Sequence, residues 1–150
     1  MSSCPRIRHI DDSRFGWLPK TKPQSKKGLA MAQYLFSFPS GAMDHIPEQE
    51  MPDVAKAAHS VCEKAIKAGV YVVAGGLVDQ PASIVATDGT VTEGANPDLV
   101  SGFTIVDVPS REEALKWAAR TAAACRCAQE VREIGFDPGL DAMLSDLPDR

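Results

Sequence analysis

The chain has 150 residues, enough for one domain with a proper core and too few for two of ordinary size. Hydrophobic residues at 44% and charged residues at 24% match an ordinary globular chain and exclude collagen-like or low-complexity character, and no apolar run reaches the roughly 18 residues of a membrane span. Residues 1–30 carry a net charge of +5 and the remainder −9, so the body repels the phosphates that a nucleic-acid binder must neutralise.

The basic leader, with Pro5, Pro19 and Pro23 and no apolar periodicity, is expected to be disordered and is set apart from the fold. From Ala32 to Phe38 the residues alternate, placing Tyr34, Phe36 and Phe38 on one face of a strand and Gln33, Leu35 and Ser37 on the other. A helix follows over about 53–68, closed by Gly69 at the position where helices commonly end. Its stripe is Val54, Ala58, Val61 and Ala65, with Ala55, Cys62 and Ile66 beside it. Tyr71 to Leu77 reads as a short strand closed by Gly75-Gly76, a pair attributed to close backbone packing or a bulge. Ser83–Ala86 and Thr90–Thr92 flank Asp88-Gly89, the signal of a hairpin with a two-residue turn.

After a loop over 93–101, Gly102 to Val108 alternates as a strand with Phe103, Ile105 and Asp107 on one side. Ser110-Arg-Glu-Glu113 has the spacing of a capping box, and the helix it opens carries Leu115, Ala118, Ala119 and Ala122 on its apolar face with Trp117 at the flank. Residues 128–134 form a last edge strand, and 136–150 a tail with one helical turn. The expected order is strand, helix, strand, hairpin, helix, strand: an α+β, ferredoxin-like βαββαβ subunit over 31–135 with both helices on one face of an antiparallel sheet. The other sheet face is left apolar and uncovered, and a homodimer is the economical way to bury it. Four cysteines without scaffold density read as reduced thiols in a cytoplasmic protein.

Five segments in order, AQYLFSFPSG, KAGVYVVAGGL, VATDGTVTEG, SGFTIVDVPSREEALKWAAR and QEVREI, span 32–134, and in them the chain resembles the YCII-related (DGPF-domain) proteins. The resemblance implies a dimeric α+β barrel of ferredoxin-like subunits acting on or binding a small molecule. One stretch departs from the pattern. Where the family reads Thr-Asp-Gly-Pro-Phe and then Glu-Thr-Lys-Glu, this chain has Thr92-Glu93-Gly94-Ala95-Asn96-Pro97-Asp98, in a loop about three residues shorter. The His-Asp pair implied by some relatives is not carried over, because Ala122-Ala-Ala-Cys125 stands where the Asp would be.

His59, at the border of the first helix's apolar face, is the first candidate for catalysis, since imidazole exchanges protons near neutral pH. Glu93 is its candidate orienting partner, and its bland reading is a solvated turn carboxylate. Tyr34, Ser37, His45, Gly75 and Gly76 are candidate binding residues. Cys125-Arg-Cys127 lacks the second ligand pair of a zinc site, and no phosphate loop or dinucleotide fingerprint is present, so neither metal nor cofactor is expected. The expected function is cofactor-independent proton transfer or elimination on a small carbonyl or phenolic compound. The alternatives are a non-catalytic small-molecule or accessory module, and a structural partner using the acidic exterior. No membrane or nucleic-acid partner is expected.

Overall fold

The computed structural model describes residues 30–94 and 99–148. The expected leader and residues 95–98 of the loop lie outside the described residues. Met31–Ile134 forms one compact unit, and Gly135 onward belongs to another.

The first unit runs β1 (Ala32–Pro39), a 3-10 turn (Glu48–Glu50), α1 (Met51–Lys67), β2 (Tyr71–Gly76), β3 (Ala82–Val85), β4 (Val91–Gly94), β5 (Val100–Val108), α2 (Arg111–Cys125) and β6 (Glu130–Glu133). Four strands make an antiparallel sheet in the order β2-β5-β1-β6. The arrangement is α+β and compatible with a ferredoxin-like fold. β3 and β4 pair only with each other, as a separate two-stranded sheet.

Alternation along β1 and β5 builds the core. Tyr34, Phe36, Val106 and Val108 pack with Ala65 of α1 and with Ala114, Trp117 and Ala118 of α2. Phe36 and Val108 are fully buried. α1 starts two residues earlier than its periodicity suggests because Pro52 falls in the first turn, where a missing N–H costs nothing. Within its expected stripe Val54 and Ala65 are buried, whereas Ile66 beside them is exposed. On α2 the buried face is rotated from expectation. Trp117 lies in the core rather than at the flank, and Leu115 and Ala119 face outward. The bulk of one indole, with Arg120 stacked 4.4 Å from its ring centroid, outweighs several alanines in choosing the face.

The Asp88-Gly89 hairpin differs from the two-residue form. Val85 pairs with Val91, and the Ala86 amide donates to the Thr90 carbonyl at 2.8 Å. Residues 87–89 are therefore a three-residue loop. Among its residues Gly89 alone has a positive φ, +86°, while a two-residue type I′ turn needs two such residues. Asp88 spends its carboxylate on the Thr90 amide at 2.9 Å instead.

The second unit holds α3 (Pro138–Ser145), longer than the single turn expected of the tail. Asp137 caps it, its carboxylate accepting from the Gly139 and Leu140 amides at 2.9 and 3.1 Å.

Candidate functional site

Register across the sheet sets up a cavity of about 370 Å³ between the helices and the strands. Residues directly opposite in an antiparallel pair share a face, so each cross-strand row reads as one line of the cavity floor. Phe38, Gly102 and Gly76 form one row, and Phe36, Thr104 and Ala74 the next. Tyr34, Val106 and Tyr71 form a third. In the first two rows side chains dwindle from β1 toward β2, and the hollow opens over Gly76, Thr104 and Ala74. α1 roofs it with Ala58, His59, Val61, Cys62 and Ala65, and α2 with Trp117, Thr121 and Cys125.

The lining is chemically quiet. No Asp, Glu, Lys or Arg borders the cavity among the described residues, and Phe38, Tyr71 and Trp117 give it an aromatic character. Thr121 turns its hydroxyl back to the Trp117 carbonyl at 3.0 Å, which leaves its methyl group for the wall. Burial pushes the Cys62 thiol up from its ordinary value. Burial also pushes Cys125 up, reinforced by nearby Cys127 and then Cys62. Both thus stay protonated near neutral pH and serve as small apolar surfaces. His59 and Tyr71 carry the other ionisable groups on its wall.

The structure brings some sequence candidates together and leaves others apart. His59, Gly75 and Gly76 border the cavity. Glu93 does not: it lies on β4, directly across from Ser83, whose hydroxyl donates to its carboxylate at 2.6 Å. With β4 paired only to β3, the expected His59–Glu93 contact is not formed. His45 is exposed in the turns after β1 and is no part of the wall. Tyr34 is buried in the core, its hydroxyl reaching Glu133 at 3.5 Å, and Ser37 is buried on the opposite sheet face. Gly75-Gly76 is neither crowded nor bulged. No heavy atom lies within 4 Å of a Cβ at either position, and the register shift falls between Tyr71 and Val73.

Phe38, Thr104, Trp117, Cys62 and Cys125 were not among the candidates. Cys62 was within reach, standing three residues after His59 on the same helix face. The others depend on strand register and helix rotation. The site stands on this geometry alone, since no protein-family model matches the chain and no curated protein matches it.

Proposed function

We propose that the chain is a YCII-related subunit of the ferredoxin-like βαββαβ type, working as a cytoplasmic homodimer. Its cavity takes a small, uncharged, largely apolar molecule of the carbonyl or phenolic class, with His59 as proton donor or acceptor. The observation that carries this reading is the cavity itself, aromatic and uncharged with one imidazole on its wall. A charged ligand would lose its hydration there without gaining a counter-ion, whereas a neutral ring loses little and gains apolar contact. An imidazole needs no metal or cofactor to move a proton at a carbon or oxygen beside a carbonyl. Free Cys62, Cys125 and Cys127 go with a reducing compartment. Among the described residues no helix is long and apolar enough to cross a membrane.

A second reading, a binding module without chemistry, is favoured by one observation: among the described residues no carboxylate shares the wall with His59 to fix its tautomer. One experiment separates the two. Acetophenone is titrated into the protein while the Trp117 indole N–H is followed by NMR, and exchange of its methyl protons is then timed in heavy water. A shifted indole with exchange above the buffer rate, lost in His59→Gln while the shift persists, supports the enzyme. A shifted indole without exchange leaves the binding module, and an unmoved indole overturns the cavity as a ligand site.

A further inference from the structure

We propose that Gly76 is the specificity-determining residue of this cavity, its bare backbone being the floor on which the second ring of a two-ring neutral aromatic compound rests. The inference depends on the cavity being the ligand site and adds what limits the ligand's size.

Three observations meet at this row of the sheet. First, Phe38, Gly102 and Gly76 stand side by side and face the helices. The Phe38 ring already lies against Gly102, so closely that a Cβ there would come within 2.6 Å of its Cε1. Bare strand backbone at this level is thus a seat for a six-membered ring. Second, Gly76 is one strand further out, about 4.8 Å away, and a Cβ on it would meet no heavy atom within 4 Å. Its φ is not left-handed, so neither backbone conformation nor crowding within the chain requires glycine. Gly76 closes β2 and brings no side chain to pack against its neighbours, and such bare strand positions often mark where a ligand approaches closely. Third, the volume fits. An apolar cavity of about 150 Å³ holds one benzene ring, and this one measures about 370 Å³. Two fused or linked rings fit, one beneath the roof formed by Trp117 and one over Gly76 beside Phe38.

A side chain at position 76 would project from this seat toward the roof. Alanine shortens the space and valine closes it, while neither touches His59 or the inner end of the cavity. Both residues fit a strand, and valine is favoured in one.

The test uses the full chain with Gly76→Ala and Gly76→Val, probed with phenol and with 2-naphthol by the shift of the Trp117 indole N–H. Circular dichroism and thermal midpoints check the fold, and Gly76→Val is expected to melt no lower than the parent. The parent should bind both probes. Gly76→Val should weaken 2-naphthol at least tenfold and leave phenol within about twofold, with Gly76→Ala intermediate. Equal 2-naphthol affinity in parent and Gly76→Val overturns the role of Gly76 while the cavity stands. If the parent binds neither probe, the cavity reading falls first and this inference with it. Should valine unfold the chain, alanine carries the comparison alone, and an unchanged 2-naphthol affinity in that variant overturns the proposal.

Discussion

Cys62, Cys125 and Cys127 are half-buried, and burial leads the causes that push each thiol up from its ordinary value, with Gln129 pulling Cys127 slightly back. A group that ionises later in the folded chain than in the unfolded one favours folding while both forms are protonated. That advantage fades once the unfolded chain begins to lose its protons. Denaturation midpoints should therefore be level below the ordinary thiol range and decline as pH climbs through and past it. The triple variant Cys62→Ala, Cys125→Ala, Cys127→Ala should decline less steeply between about pH 7 and about pH 10. An equal decline in both chains would assign the effect to other groups, such as Tyr34, whose hydroxyl burial and Glu133 also push up. At this scale the sequence disclosed chemistry but not company. His59 was legible because imidazole is rare and its helix phase is countable. Glu93 misled because a carboxylate near a turn says nothing of which neighbour will claim it.

Ser110 shows how an element's start is written. Its hydroxyl accepts from the Glu113 amide at 3.2 Å, satisfying one of the four free donors of α2. Only this half of the capping box forms. The Glu113 carboxylate takes Lys116 Nζ at 3.1 Å, one turn along the helix, instead of returning to the cap. Ser110→Ala should cost about 1 kcal/mol in chemical denaturation, whereas Glu113→Gln, which removes an exposed pair, should cost under about 0.5 kcal/mol. Reversed magnitudes would mean that the ion pair and not the hydroxyl anchors the helix start. Strands and helices were legible as elements from their two periods. The rotation of α2 was not, because alanines at adjacent positions are nearly equivalent until Trp117 chooses a side. The hairpin's existence was legible and its loop length was not, since Asp88 could adopt a positive φ or cap its own turn.

At the scale of the larger unit, α1 and α2 cover one face of the four-stranded sheet, and the other carries Phe103 and the facing row of Leu35, Ile105 and Val73. Val73 is 40% exposed. Asp107 belongs to the same face, and its Oδ1 is buried without a donor among the described residues. An unsatisfied buried oxygen costs about 1–3 kcal/mol. The apolar row on this face supports the homodimer proposed above. Ile105→Lys should convert a dimer to a monomer in sedimentation velocity while preserving the circular dichroism spectrum. A parent that sediments as a monomer would remove the homodimer from the reading and leave the cavity intact. The opposed faces follow from strand alternation and were legible early. The cavity was not, because a hollow depends on which small residues of different strands come abreast.

That alignment turns on a single residue. Tyr71 faces Val106, yet Val73 already faces Ile105, so Val72 is supernumerary in β2, and the Tyr71 hydroxyl accepts from the Ala74 amide at 3.1 Å just beyond it. Were Val72 paired with Ile105 instead of bulged out, every later partner would slip by one: Val73, not Ala74, would stand opposite Thr104, and Gly75 would take the place of Gly76. The space under Trp117 would then be plugged by an isopropyl group, and an alanine would be turned outward in exchange. The bulge at Val72 decides whether this sheet is hollow or solid beneath α1 and α2.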